Sequence, residues 1–271
     1  GPSAAFSFGA KPLTHEAEFW TLADQVARLH LGAVTARVDV ARPQFGVQDV
    51  RLDSVTLVGK LLALSPSDAP ATATATWRAT VADAYVRGRD LVAAYAGSEA
   101  WPYAPQVYWS VAPDENGGEI LASLALVVSV QTSLLDTHPR IDVRSSLPAE
   151  EVLLLSIIGD DLLVDSHVDG VQGGVQGIDP RAGACGILWR LADGKLSYAE
   201  IMPTSDFRQL AVERLPTGNI QSRWELFAEF LEKGVIRRAR LQSLFVPHEN
   251  DVQLVAESCR AIESRPLPLT T

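Results

Sequence analysis

The sequence predicts an α+β protein rich in β-structure. Antiparallel sheets of meanders and hairpins, sandwich-like in outline, carry one helix near the N-terminus and one at the C-terminus. Three observations lead there. Apolar residues recur at helical spacing only near the two ends, and elsewhere they alternate with polar ones at period two. Short runs rich in Val, Leu and aromatic residues are separated by Gly, Asp, Asn and Pro. Apolar residues make up 47% of the 271 and charged residues 21%, the composition of a packed globular protein.

The first helix is capped by Thr14, carries Glu16 and Glu18 in its first turn and stops at Gly32. Phe19, Trp20, Leu22, Ala23, Val26, Ala27 and Leu29 give it one apolar face to pack on a sheet. The period then changes: Val34, Ala36, Val38 and Val40 alternate with Thr35, Arg37 and Asp39 in a half-buried strand. Residues 55–64 form the next strand, after a turn near Asp53, and residues 66–70 a loop. Residues 75–95 read as a hairpin turning at Arg87-Gly88-Arg89-Asp90. Alternation there puts Asp83 on the face of Trp77, Val81 and Tyr85, so a bulge near solvent is expected. Strands at 107–111 and 119–135 follow, joined by a turn at Asp114-Glu115-Asn116-Gly117-Gly118.

A break at Ser145-Ser146-Leu147-Pro148 divides the chain into 1–146, a helix plus meander, and 147–271, hairpins plus a helix. These are either two α+β units or the halves of one extended sandwich. The second part opens with an apolar run at 152–158, then an acidic patch, then a glycine run at 170–177 read as a long loop. Residues 186–191 and 196–202 flank the turn Ala192-Asp193-Gly194. A longer hairpin over 223–246 turns at Lys233-Gly234, placing Trp224, Leu226 and Ala228 with Ala239 and Leu241, and Glu229 opposite Arg238. The last helix starts at Asn250, has Gln253 in capping-box position, buries Val252, Val255, Cys259 and Ile262, and ends before Pro266 and Pro268.

Charge and cysteine content narrow the setting. Thirty-three acids against 23 bases give a net charge of −10, which repels a phosphate backbone, and no nucleic-acid partner is expected. The basic run Arg237-Arg238-Arg240, with Lys233, reads as a surface salt-bridge ladder to Glu229. No apolar stretch reaches the roughly 18–20 residues that span a bilayer. Cys185 and Cys259 have neither metal-ligand spacing nor a disulfide framework, which points to reduced thiols and a cytoplasmic setting. Gly1-Pro2 reads as the remnant of a cleaved tag, and a secreted protein already stripped of its leader would read the same way.

Two features carry candidate chemistry. Trp101, Tyr103, Tyr108 and Trp109 lie within nine residues stiffened by Pro102 and Pro105. Such a strip either closes the end of a sheet or forms a surface on which a protein or a sugar ring docks. Asp165, His167 and Asp169 project from one face if their segment is extended, with neighbours about 7 Å apart, and could share a divalent ion. The glycine run lacks the lysine and hydroxyl of a phosphate-binding loop, and no G-x-S-x-G elbow is present. The sequence therefore predicts a non-catalytic, β-rich binding or protein-interaction module contacted through the aromatic strip. The alternative is a metal-assisted hydrolase built on Asp165, His167 and Asp169. No cofactor is expected apart from the divalent metal of that alternative.

Overall fold

A computed structural model describes residues 19–53, 55–67, 77–99, 101–111, 120–166, 176–192, 194–227 and 229–264. Its first element corrects the expected N-terminal helix. Residues Trp20–Ala23 (β1) and Val26–Leu31 (β2) are antiparallel strands, with Trp20 opposite Leu29 and Ala23 opposite Val26. Asp24 and Gln25 join them, both at positive φ (48° and 66°), as a two-residue hairpin turn of the primed kind demands. Two strand ends separated by two residues place apolar side chains three and four apart across the turn, which imitates a helical face. The α+β expectation with two helices gives way to an almost wholly antiparallel β-structure.

The predicted alternation continues in Val34–Asp39 (β3), where Val34, Ala36 and Val38 are buried and Thr35, Arg37 and Asp39 half-buried. Val47–Leu52 (β4), Val55–Thr56 (β5) and Lys60–Pro66 (β6) complete the first meander. The chain then crosses to a second sheet through Val81–Arg87 (β7), Asp90–Tyr95 (β8), Ala104–Val111 (β9) and Ala122–Gln131 (β10). The ladder slips between Val81 and Asp83, leaving Asp83 exposed at the expected bulge. Arg140–Leu147 (β11) returns to the first sheet. Ala149–Ile158 (β12) and Asp161–Ser166 (β13) belong to the second, and Gln176–Ile178 (β14) edges the first. Ala184–Leu191 (β15) and Leu196–Ile201 (β16) make the hairpin expected around Gly194, with Trp189 opposite Tyr198.

Phe207–Arg214 (β17) and Ile220–Phe227 (β18) form a further hairpin, and Ile236–Pro247 (β19) leads into the helix Asp251–Ser264 (α1). The expected pairing of the 223–246 segment is not made. β18 lies between β11 and β17, whereas β19 lies between β10 and β16 in the other sheet. Trp224 and Leu226 still share a core with Ala239 and Leu241, because the two strands face each other across the sandwich. Glu229 pairs with Arg237 at 2.5 Å rather than with Arg238.

The result is two stacked sheets. The ten-stranded one runs β1-β2-β3-β4-β6-β11-β18-β17-β14 with β5 on β4, and the nine-stranded one runs β13-β12-β15-β16-β19-β10-β9-β8-β7. Strands from either side of residue 147 are hydrogen-bonded side by side in both sheets. Leu254, Val255, Cys259 and Ile262 of α1 pack on the outside of the nine-stranded sheet, in a separate cluster with Leu153, Leu188 and Leu244. Among the described residues no helix is long and apolar enough to cross a membrane.

One carboxyl ties the sheets together through the core. Glu200 on β16 is fully buried and accepts hydrogen bonds from Ser145 on β11, from Ser222 Oγ (2.9 Å) and Trp224 Nε1 (2.8 Å) on β18, and from Tyr198 Oη (2.9 Å). Burial pushes its pKa above the ordinary glutamate value, and the four donors oppose that shift.

Candidate functional site

The aromatic strip lies in the interior. Trp101 and Trp109 are 1% and 0% exposed, and Tyr103 and Tyr108 are buried as well. Trp101 packs edge-on against Trp77 and Tyr95, at centroid distances of 4.6 and 5.4 Å. Tyr103 donates its hydroxyl to the Arg140 carbonyl at 2.9 Å. Tyr108 points to the opposite side of the sheet, against Val92 and Val127. Together they close the sheet and offer no open ring face. Asp165 is exposed on the edge strand β13, and His167 and Asp169 lie outside the described residues. Among the described residues no three His, Cys, Asp or Glu side chains are grouped to hold a metal ion.

A polar cleft of about 660 Å³ opens where the ends of β14, β17, β18 and β19 meet. Asp206, Arg208, Gln209, Phe227, Glu229 and Arg238 are among its lining residues. Asp206 sits in the turn before β17, half-buried. Its Oδ2 accepts the Arg240 backbone N–H at 2.9 Å and its Oδ1 the Ser205 hydroxyl at 2.7 Å. Burial raises its pKa above the ordinary aspartate value, against the pull of those two donors and the Arg240 charge, while Glu263 adds to the rise. Arg238 lines the same cleft, and its Nε is buried without a hydrogen-bond partner among the described residues. A buried donor of this kind calls for a water or a ligand acceptor. A carboxyl of raised pKa beside several N–H donors suits a polyhydroxylated ligand.

The cleft runs onto the outer face of the ten-stranded sheet, and strand register lays that face out in rows. One row reads Ser65, Asp142, Glu225, Gln209 across β6, β11, β18 and β17. The next reads Ala63, Arg144, Arg223, Ala211, Gly177, ending on β14. A third reads Lys60, Ser146, Gln221, Glu213. In the middle row only the two arginines are long. Ala63 and Ala211 leave the floor low on either side, and a Cβ on Gly177 would run into the Gln209 amide.

Asp142 is fully buried beneath these cations. It accepts from Arg144 Nη2 (2.5 Å) and Ser67 Oγ (2.7 Å), with Arg223 Nη1 3.7 Å away. Arg140 donates Nε and Nη2 to Glu225 Oε1 at 3.1 and 2.9 Å. The acids lie low and the guanidiniums stand above them, partly open to solvent. None of these residues belongs to a sequence motif, and Asp206 and Arg144 drew no attention in the sequence. Period-two alternation was the one available signal, since it puts Asp142 and Arg144 opposite the apolar Ile141 and Val143 of the same strand.

No protein-family model matches the sequence, and no curated protein does either. Solved structures do match in fold. A candidate aldose 1-epimerase from Escherichia coli K12 superposes with a TM-score of 0.53 at 7% identity, over 80% of this chain and 97% of its own. The α-N-acetylgalactosaminidase NagBb from Bifidobacterium bifidum gives 0.55 at 16%, over 86% of this chain but 38% of its own. An α-galactosidase from Lactobacillus brevis gives 0.52 at 7%, over 88% and 42%. The fold is the one these carbohydrate-processing proteins share. That likeness in fold overturns the reading as a non-catalytic interaction module, and the metal-assisted hydrolase with it.

Proposed function

We propose that the protein is a carbohydrate-active enzyme that works at the anomeric centre of a free aldose, interconverting its two anomers in the cleft around Asp206. The single observation that carries this reading is the Asp206 carboxyl, which burial holds above its ordinary pKa in a cleft large enough for a sugar. Anomer exchange needs a proton taken from the hydroxyl on C1 and a proton given to the ring oxygen. The C1–O5 bond then opens, the aldehyde turns over, and the ring closes with both protons returned. A carboxyl whose pKa is raised trades protons in both directions more readily than one at its ordinary value. Arg208 and Arg238 supply N–H donors to hold ring hydroxyls.

The extent of the fold match supports an epimerase over a glycosidase. The Escherichia coli protein corresponds over nearly its whole length, whereas each glycosidase corresponds over less than half of its own. The test is polarimetry on freshly dissolved α-D-glucose and α-D-galactose with wild-type protein and D206N. The wild type is expected to speed the approach to equilibrium beyond the buffer rate. D206N should lose about 10²–10⁴-fold of that acceleration, the usual contribution of a positioned acid–base group. Equal rates for wild type and D206N would remove Asp206 from the reaction.

A further inference from the structure

The outer face beside the cleft has a charge pattern that a neutral sugar does not require. Lys60, Arg140, Arg144 and Arg223 share it with Asp142, Glu213 and Glu225, four cations against three carboxylates. Their heights matter more than the count. Asp142 is 0% exposed and Glu225 5%, whereas the Arg144 and Arg223 side chains are 27% and 30% exposed. An approaching group therefore meets guanidinium N–H donors first, with the compensating acids beneath them. Glu225 is engaged by Arg140, and Glu213 accepts from the Gln221 amide at 2.6 Å. Asp142 serves Arg144 closely, and Arg223 reaches it only at 3.7 Å. Lys60 has no carboxylate partner among the described residues, and its Nζ lies over the Phe45 ring at 5.6 Å. Burial, and after it the neighbouring Arg144 charge, lowers the Lys60 pKa. Arg144 and Arg223 thus share one acid with the Lys60 charge beside Arg144, an arrangement that costs stability unless an anion is at times present.

We infer that Arg223, Arg144 and Lys60 form a binding site for the anionic substituent, phosphate or carboxylate, of the sugar whose ring occupies the adjoining cleft. The substrate class is then sugar phosphates or sugar acids. The inference rests on the carbohydrate reading above and adds the charge of the substrate to it. Geometry supports the junction. Gln209 and Gly177 line the cleft, while Glu225, opposite Gln209, stands one strand step of two residues, about 7 Å, from Arg223. Ala211, opposite Arg223, keeps the floor between them low. Arginine forks match a phosphate or carboxylate with two parallel N–H donors, and a lysine adds a point charge.

The test is calorimetric titration of the wild type with glucose 6-phosphate, glucuronate, glucose and inorganic phosphate, repeated with R223Q and K60Q. Both variants are chosen because neither side chain is tightly bound to a buried acid, and their melting curves check the fold. The expected result is tighter binding of one anionic sugar than of glucose by at least about 10-fold. That preference should fall by about 10-fold or more in R223Q, the worth of one charge-assisted pair, and decline in K60Q. Glucose 6-phosphate and glucuronate separate a phosphate site from a carboxylate site. Equal affinity for glucose and both anionic sugars, unchanged in R223Q, would overturn the anion site and leave the carbohydrate reading standing. Binding of inorganic phosphate that R223Q abolishes, with no sugar adding affinity, would overturn the carbohydrate reading and keep the anion site.

Discussion

Replacing Glu200 by leucine removes the acceptor on which donors from both sheets converge. The leucine is of similar volume, so the perturbation is the loss of hydrogen bonds rather than a cavity. Trp224 Nε1 is a donor only, held in the core at 2.8 Å from Glu200 Oε2, and it cannot turn elsewhere. Its desolvation without a partner costs about 1–3 kcal/mol. The hydroxyls of Ser145, Ser222 and Tyr198 can rotate, and each loses about 0.5–1.5 kcal/mol. Relief of the buried carboxyl offsets part of this, so E200L should lose about 3–5 kcal/mol. At about 2–4 °C per kcal/mol for a domain of this size, the melting temperature falls roughly 6–20 °C. E200Q keeps one oxygen for Trp224 and Ser222 and turns its amide toward hydroxyls that can accept, and about 1 kcal/mol is expected.

The pH dependence has a definite sign. The folded pKa of Glu200 lies above the unfolded one, so its contribution is full below about pH 4.3 and is lost as pH rises through the folded value. The stability of the wild type relative to E200Q should therefore decline with rising pH. Urea unfolding followed by tryptophan fluorescence, from pH 4 to 8, reads both effects. An E200L protein within about 1 kcal/mol of wild type, or more stable than E200Q, would refute the reasoning.

Two further perturbations test other parts of the fold. Gln25 sits at φ 66° in the turn between β1 and β2, so Q25G should stabilise by about 0.5–1 kcal/mol in a denaturant melt, where a helix interior would lose a similar amount. At the start of α1, burial pushes the Asp251 pKa up. Arg190, bonded through Nε and Nη2 at 3.0 and 3.1 Å, together with Ser197, outweighs that and holds the pKa below the usual range. Its contribution is present above the unfolded value of about 3.9 and fades as pH falls through the folded one. D251N should accordingly be less stable than wild type by about 2–4 kcal/mol near neutral pH, in urea unfolding, with the gap closing in acid.

Much of the architecture was legible because burial on one face of a strand imposes period two. The alternation of Val34 to Asp39, the Trp189–Tyr198 hairpin and the apolar stripe of the last helix all follow from local pattern. Two failures share a cause. Asp24-Gln25 carries neither the Asn-Gly nor the Asp-Gly of a strong hairpin signal, so the apolar residues on its two sides ran together into a helical period. In β18 and β19 the alternation was correct and the partner was not. Strands facing each other across a core bury the same residues as strands paired side by side, and sequence alternation does not distinguish the two arrangements.

The candidate site was nearly invisible for a related reason. Asp206, Gly177, Phe227 and Arg238 meet because four strand ends from two sheets converge, and their spacing in the chain carries no trace of that. The aromatic strip drew attention because it is dense in large side chains. That density is what closing a sheet end requires, as the contacts of Trp101 with Tyr95 and the half-buried Trp77 show. Arg144 and Arg223 lie opposite each other across β11 and β18, yet 79 positions separate them.

The most direct test of the central claim is magnetisation-exchange NMR on anomers at equilibrium, covering glucose, galactose, glucose 6-phosphate and glucuronate, with wild-type protein and D206N. Carbohydrate processing at the Asp206 cleft predicts faster exchange between the α and β signals of at least one sugar with the wild type, and exchange near the buffer rate with D206N. Exchange at the buffer rate for every sugar with the wild type would contradict it.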